Sequence, residues 1–259
     1  MQRMKRNVAL LAAGQAVMMT GGVLLFATGS LVGHALADDK ALATLPLALQ
    51  MTASLAVIVP ASFLMARIGR RGGFLLGAAA AIGGAALATH SILTGNFALF
   101  CVAAMLMGAF TGIGNYFRFA AVDASSEAYR ARAIGYVLAG GVIAALIGPN
   151  LGHWGERLLA APAFAGGYLA LVGLYALIFV LLTRLDIPRP QAFDASHGRP
   201  LAAILRQPAV AVAVLCGALI YAVMELIMTA TPLEIHRHQH TYHDTACVIE
   251  WHVICMFAP

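Results

Sequence analysis

Two glutamates lie inside apolar stretches near the end of the sequence, where a carboxylate can carry a proton or bind a cation. Glu225 follows Tyr221 by four residues in the run 209–231, so both side chains share one helical face. Glu250 lies at a similar depth in the next apolar segment. A charge in lipid is costly unless it is protonated or paired. The two glutamates therefore predict a proton-coupling or cation-binding site in one wet pocket, although each could simply face a water-filled cavity.

A second polar stripe consists of Thr111, Asn115 and Arg118, which the spacing i, i+4 and i+7 places on one helical face. Polar side chains within a membrane usually face a cavity or a partner helix. Gln15, in the first apolar segment, belongs to the same class. Together with the tyrosine and glutamate of the run 209–231, these residues are the predicted lining of a substrate cavity. Arg118 has an alternative role, because a long side chain near a helix end can reach the lipid headgroups.

Four histidines occur in the segment EIHRHQHTYHD, and they are His236, His238, His240 and His243. Imidazole nitrogens at such spacings can bind zinc or nickel. A loop on the periplasmic side can also be rich in histidine by chance, since no helix or strand is predicted to position these rings. We therefore expect no cofactor, and the four histidines are only weak candidates for a metal site.

No enzyme motif accompanies these residues. The sequence has no G-x-S-x-G, H-E-x-x-H, phosphate-binding loop or C-x-x-C. Its basic segments also lack the interleaved aromatic residues that a nucleic-acid surface would show. Neither catalysis nor nucleic-acid binding is predicted.

The composition predicts that the polar residues are positioned by membrane helices. Hydrophobic residues make up 61% of the chain and charged residues 10%, which excludes an ordinary soluble domain. Long unbroken apolar runs favour helices over a closed barrel. The predicted spans are residues 8–36, 42–65, 73–94, 97–119, 132–154, 164–183 and 209–231, with an eighth beginning near Asp244.

Residues 60–73, with the sequence PASFLMARIGRRGG, separate the second and third spans and set the orientation. The charged and flexible residues of this segment are Arg67, Arg70, Arg71, Gly69, Gly72 and Gly73. Each arginine would cost about 2.5–3.5 kcal/mol inside lipid, so a tight, glycine-assisted hairpin at a membrane surface is predicted. Of the sixteen Lys and Arg, twelve fall in loops on this side and three on the other. The positive-inside rule then places the N-terminus in the cytoplasm.

The same segment resembles the loop between helices two and three of the major facilitator superfamily, written G-x-L-A-D-R-x-G-R-R. The matching residues are Leu64, Arg67, Gly69, Arg70 and Arg71, whereas Ser62, Met65 and Ala66 replace other residues of the pattern. The resemblance implies a loop that takes part in a charge relay and in the conformational change.

The fifth predicted span resembles another pattern of this superfamily, G-x8-G-x3-G-P-x2-G-G, which is associated with proton-coupled drug antiporters. The matching residues are Gly135, Gly148, Pro149 and Gly152, whereas Ala144 and His153 replace two glycines. Small residues let helices approach closely, and proline bends a helix by removing a hydrogen bond. The pattern therefore predicts a packing face, although small residues are common in membrane helices generally.

The order of spans predicts two unequal halves. A polar segment with four prolines, residues 185–208, follows six spans, as in facilitator transporters. We therefore predict an N-terminal six-helix bundle (1–184), a cytoplasmic linker (185–208) and the start of a second bundle (209–259). A helix over residues 244–259 would be about 24 Å long, short of the roughly 30 Å hydrocarbon core. We expect a C-terminally truncated chain, either a fragment of a twelve-helix protein or a truncated product.

The resemblance implies an all-α, multi-pass transporter of the bacterial inner membrane that moves a small molecule by alternating access. The antiporter-like pattern favours proton-coupled efflux of hydrophobic compounds, with a small metabolite as the other substrate class. The expected partners are the lipid bilayer, the substrate and, with coupling, protons. The alternative is a non-transporting, truncated membrane protein with a structural or periplasmic metal-binding role.

Overall fold

Every regular element of the described chain is a helix. The computed structural model describes residues 1–155, 157–159, 162–187, 204 and 206–257. The α-helices of these residues are α1 (Gln2–Leu36), α2 (Leu45–Thr94), α3 (Phe97–Gly114), α4 (Phe117–Asp123), α5 (Arg130–Leu138), α6 (Gly140–Gly155), α7 (Ala165–Leu182), α8 (Pro208–Arg237) and α9 (Tyr242–Phe257). Two short 3₁₀ turns, Lys40–Leu42 and Glu127–Tyr129, precede α2 and α5.

The chain of α2 reverses direction at Gly69, inside the predicted hairpin. Gly69 has φ 83° and ψ 162°, a conformation that is essentially restricted to glycine. Gly72 and Gly73 are helical, so the expectation that they loosen the turn is wrong. Gly73 serves close packing instead, because a Cβ there would lie 2.5 Å from Cγ of Met65. One glycine makes the turn and another lets its two arms meet.

Contacts with α3 show that the two arms of α2 are antiparallel. The contacts are Gln50 with Gly108 and Ser54 with Gly112 for the first arm, and Gly77 with Phe110 and Gly84 with Met107 for the second. Residue numbers rise together along the first arm and α3, whereas they run in opposite directions along the second arm. The prediction of two membrane spans joined by a tight hairpin is confirmed by this geometry.

The helix lengths agree with a membrane bundle. A straight helix of the 50 residues of α2 would be about 75 Å long, far more than the roughly 30 Å hydrocarbon core. Among the described residues, six helical segments are long and apolar enough to cross a membrane. Since one of these contains both arms of α2, they provide the seven complete spans predicted. The prediction of an all-α membrane bundle is confirmed.

Two predicted spans are each divided into two helices. The span 97–119 is interrupted between Gly114 and Phe117, where the hydroxyl of Tyr116 donates to the carbonyl oxygen of Ile58 at 2.9 Å. The span 132–154 is interrupted at Ala139, between α5 and α6. The apolar sequence continues through both interruptions, so hydropathy alone does not reveal them.

Aromatic side chains fill the centre of the first seven helices. Phe110 and Tyr175 pack edge to face with ring centroids 5.5 Å apart, and Phe100 and Tyr168 do so at 5.7 Å. Both tyrosines are buried. The hydroxyl of Tyr168 is 3.0 Å from that of Thr28, which satisfies both polar groups. These contacts join α1, α3 and α7 in one core.

The start of α1 is tied to the chain just after α7. The side-chain amide of Asn7 donates to the carbonyl oxygen of Asp186 at 2.6 Å, and the Asp186 N–H donates back at 3.3 Å. Arg3 also forms an ion pair with Asp186. These bonds close α1–α7 into a bundle. Most of the predicted linker, residues 185–208, lies outside the described residues, so the proposed domain boundaries stay predictions.

Candidate substrate cavity

A cavity of about 690 Å³ lies between α1, α2, α3, α4, α5, α8 and α9. Its volume is within the range of roughly 300–1,000 Å³ that is usual for small-molecule sites. The six residues predicted from the sequence to line a substrate cavity all occur in its wall, and they are Gln15, Thr111, Asn115, Arg118, Tyr221 and Glu225. The structure therefore brings together polar side chains that are up to about two hundred residues apart in sequence.

Helical spacing explains how α1 contributes to the cavity. Gln15, Gly22 and Phe26 follow one another at i, i+7 and i+11, which places them on one face. Gln15 is buried, and its side-chain amide donates to the sulfur of Met19 at 3.2 Å. An apolar helix that carries its few polar atoms on this face can satisfy them only inside the bundle.

The interruption between α3 and α4 shapes the opposite wall. Thr111 donates from its hydroxyl to the carbonyl oxygen of Met107 at 3.2 Å, and Asn115 ends the helix. Arg118 is exposed on the first turn of α4, with its guanidinium carbon 5.3 Å from the ring centroid of Phe119. The polar stripe thus continues from Thr111 on α3 to Arg118 on α4, although the helix is interrupted between them.

Two acceptor oxygens in the wall have no hydrogen-bond partner among the described residues. They are Oε1 of Gln50 on α2 and Oε1 of Glu225 on α8. Gln50 is only 1% exposed. The Tyr221 hydroxyl is close enough to the Glu225 carboxylate to interact with it electrostatically. An unpaired buried polar atom costs about 1–3 kcal/mol, so a hydrogen-bond donor that reached either oxygen would remove this cost.

Sequence reasoning did not identify Gln50. The signal was available, since Gln50 is the only amide in the apolar run 45–59 and an uncommon residue for that depth. The sequence could not show how the first arm of α2 packs along α3, and it is this packing that places Gln50 in the cavity wall.

Methionine and aromatic side chains form most of the remaining wall. Six of the eleven methionines of the chain line the cavity, and they are Met18, Met19, Met51, Met224, Met228 and Met256. The aromatic residues beside them include Phe26, Phe119 and Phe257. Thioethers adapt their shape and make favourable contacts with aromatic rings, worth about 0.3–1.5 kcal/mol each. This wall therefore offers a ligand an adaptable, largely apolar surface.

The arginine hairpin is bound to the far end of α4. Arg70 donates from Nε and Nη2 to the same carboxylate oxygen of Asp123, at 3.0 Å and 2.7 Å. Its guanidinium also lies 5.8 Å from the ring centroid of Tyr116. Arg67 and Arg71 are exposed. Although Ala66 replaces the acid of the resembled loop, Asp123 supplies a carboxylate that couples the hairpin to the cavity wall.

The glycines of the fifth predicted span have different surroundings. A Cβ on Gly148 would lie 2.8 Å from Cβ of Val23 on α1, and one on Gly152 would lie 2.5 Å from the hydroxyl of Tyr242 on α9. Gly135 has no such neighbour within 4 Å. Pro149 lies inside α6. The glycine pattern therefore serves packing on two sides of α6 but not at its first position.

A set of contacts along the first half of α9 docks it onto α6, away from the cavity. The hydroxyl of Tyr242 donates to the carbonyl oxygen of Pro149 at 2.6 Å. The side-chain amide of Asn150 donates to Oε2 of Glu250 at 2.8 Å. Glu250 is therefore engaged by α6 and is not in the wall that Glu225 lines. The expectation that both carboxylates share one pocket is not met, because helix docking turns Glu250 towards Asn150.

Part of the histidine segment is helical, although no helix was predicted to position its rings. α8 continues to Arg237 and includes His236, whereas His243 belongs to α9. His238 and His240 lie between the two helices. Within the described part of the chain, no three His, Cys, Asp or Glu side chains are arranged to hold a metal ion.

The nearby Asp244 accepts hydrogen bonds from the hydroxyl and N–H of Thr241, which lower the pKa of its carboxyl.

Comparison with known proteins relates this sequence to one family. The sequence model of the Major Facilitator Superfamily matches residues 10–248. A riboflavin transporter of Brucella anthropi is 36% identical over 259 residues, which cover 98% of this chain and 65% of that protein. An uncharacterized transporter of the same superfamily from Bacillus subtilis is 30% identical over 286 residues, covering 100% of this chain and 63% of the relative. The chain thus spans a little under two thirds of the length of these relatives.

Proposed function

Because the chain belongs to the major facilitator superfamily, we propose that it takes part in transport of a flat, neutral aromatic compound of the riboflavin type. The observation that carries the proposal is the cavity, whose wall combines methionine and aromatic side chains with amides and two unpartnered acceptors. The similarity to a riboflavin transporter over 98% of the chain supports the same substrate class.

The chemistry of riboflavin matches this wall. Its tricyclic ring is flat and aromatic, one edge carries an imide, and a chain of hydroxyl groups extends from the other side. Methionine sulfurs and phenylalanine rings can contact the faces of such a ring. The amides of Gln15, Gln50 and Asn115 offer donors and acceptors to its edge, and Glu225 can accept hydrogen bonds from hydroxyls.

The position of the cavity supports alternating access with one end closed. The wall reaches Arg118 and Phe119 on α4, whose last residue, Asp123, binds the arginine hairpin. At the other end of the bundle, Tyr242 joins α9 to α6. We infer a state that opens towards the Arg70 end, and the opposite state requires separation of α9 from α6.

We propose that the Arg70 end is cytoplasmic and that the protein is located in the bacterial inner membrane with its N-terminus inside. The support is the excess of Lys and Arg on that side.

In whole cells, an impermeant thiol reagent should label a cysteine at position 240 and not one at position 70; the reverse pattern would contradict this orientation.

Proton coupling through Glu225 is the proposed energy source, with Glu250 as the other candidate. Glu225 lies in the cavity, where its protonation can change with substrate binding, whereas Glu250 is held by Asn150.

A second substrate class, hydrophobic compounds moved by efflux, is favoured by the predominance of apolar side chains in the wall.

Counterflow tests the proposed substrate. Vesicles that contain the protein are preloaded with unlabelled riboflavin and diluted into labelled riboflavin. We expect transient accumulation of label above equilibrium, which protein-free vesicles do not show. A parallel set of vesicles, preloaded with a hydrophobic cation and diluted into the labelled cation, tests the second substrate class. Absence of riboflavin exchange, with exchange of the hydrophobic compound, would contradict the riboflavin proposal and favour the second class.

A further inference from the structure

The side chain of Gln50 is held in an unusual position for an amide. It is almost completely buried, it lines the cavity, and its Oε1 has no hydrogen-bond partner among the described residues. The neighbouring amide of Gln15 differs, since it already donates to the sulfur of Met19. A buried carbonyl oxygen that is left unpaired is unfavourable, so its retention indicates that a ligand supplies the donor.

Two glycines fix where this amide lies. Gly108 of α3 contacts the backbone carbonyl of Gln50, so α2 is pressed against α3 at this residue and its Cβ has one position. Gly22 of α1 lies opposite, with Nε2 of Gln50 3.9 Å from the place where a Cβ would be. Even a Cβ at Gly22 would only reach van der Waals contact with this nitrogen, and Gly22 itself lines the cavity.

This arrangement defines the group that the amide can recognise. A primary amide presents an acceptor and a donor side by side, and an imide edge presents the complementary N–H and C=O. Methionines on both sides of the cavity, Met19 on α1 and Met51 on α2, can contact the faces of the ring that carries this edge. A donor is required, because the unsatisfied atom of Gln50 is the oxygen, and the imide edge supplies one as an N–H directly beside a carbonyl.

We propose that Gln50 is the specificity-determining residue of the cavity and accepts a hydrogen bond from the imide N–H of a flat heteroaromatic substrate. This inference rests on the proposed function, since it assigns the substrate class of the same cavity. It predicts that substrates lacking the N–H are rejected, because a methyl group in its place cannot donate and would leave Gln50 Oε1 unpaired.

Riboflavin and its N3-methyl derivative are the matched probes, because they differ only at the imide nitrogen. In counterflow with the unmodified protein, we expect the methylated flavin to compete at least about tenfold less well than riboflavin. In Gln50→Leu, riboflavin should compete about tenfold less well than before, and the two flavins should become equal within about threefold. Thr52→Val is the control, since Thr52 is an exposed residue of the same helix whose hydroxyl donates to Ala48; it should keep the discrimination.

Equal competition by the two flavins in the unmodified protein would overturn the inference, and this comparison needs no variant. Discrimination that survives in Gln50→Leu would overturn it as well. If neither flavin exchanges at all, the proposed function fails too, so the two failures are distinguishable.

Discussion

Replacing Gly148 with leucine should reduce transport at least tenfold while the protein still inserts in the membrane. A Cβ at this position would lie 2.8 Å from Cβ of Val23 and 3.1 Å from the carbonyl oxygen of Thr20. Real Cβ atoms do not approach so closely, so α1 and α6 must move apart, at an overpacking cost of about 1–3 kcal/mol. Val23 lines the cavity, and the shift therefore changes the substrate wall.

The chain offers a matched control in Gly135, which belongs to the same predicted pattern but has no neighbour within 4 Å of its added Cβ. Gly135→Leu should keep riboflavin counterflow within about twofold, since Gly135 is exposed and its added Cβ meets no neighbour. Membrane content, measured by immunoblot, should be equal for both variants. Unchanged counterflow in Gly148→Leu would show that close contact between α1 and α6 is not needed for transport.

Replacing Glu225 with glutamine should abolish transport driven by a pH gradient while substrate exchange persists. Glutamine keeps the size and much of the hydrogen bonding of the carboxylate, including an acceptor beside the Tyr221 hydroxyl, but it cannot bind and release a proton. Exchange of substrate across the membrane needs no net proton movement. We therefore expect uphill accumulation to fall to the background level of protein-free vesicles, with counterflow within a few-fold of the unmodified protein.

Glu250→Gln is the comparison, because Glu250 is bound to Asn150 on α6 and is outside the cavity wall. It should retain gradient-driven transport. Retention of uphill transport in Glu225→Gln together with its loss in Glu250→Gln would assign the proton to Glu250. Loss of both uphill transport and counterflow in Glu225→Gln would mean that this carboxylate binds substrate or supports the structure.

The helical spans and the position of the hairpin could be predicted because charge and hydropathy act residue by residue. Arg67, Arg70 and Arg71 cannot enter lipid, so a surface turn was required wherever the flanking helices went. The need for glycine at the reversal was also predictable, but only Gly69 has the positive φ that requires it. Gly73 has another purpose that depends on Met65, a contact created by the turn itself.

The composition of the cavity could be predicted in part, for a related reason. Polar residues such as Asn115 and Glu225 must face the interior of the bundle when their helices cross lipid. They therefore come together once the helices pack. Methionines carry no such signal, because Met51 is as acceptable to lipid as to a cavity. The pairing of Glu250 with Asn150 could not be predicted either, since it depends on how α9 docks on α6.

Protection of a cavity cysteine by substrate tests the central claim most directly, namely that this cavity is where the substrate binds. The four native cysteines, Cys101, Cys216, Cys247 and Cys255, are free and would first be replaced with serine or alanine. A single cysteine is then introduced by Asn115→Cys in the cavity wall, or by Thr94→Cys at the exposed end of α2 as the control. The measured quantity is the rate of alkylation by a small maleimide with and without riboflavin.

The account predicts that saturating riboflavin slows alkylation of the cavity cysteine at least fivefold, because a bound ring excludes the reagent from the wall. The rate at position 94 should not change. Equal alkylation rates at position 115 with and without riboflavin, in protein that still carries out riboflavin counterflow, would contradict the account and locate the substrate elsewhere.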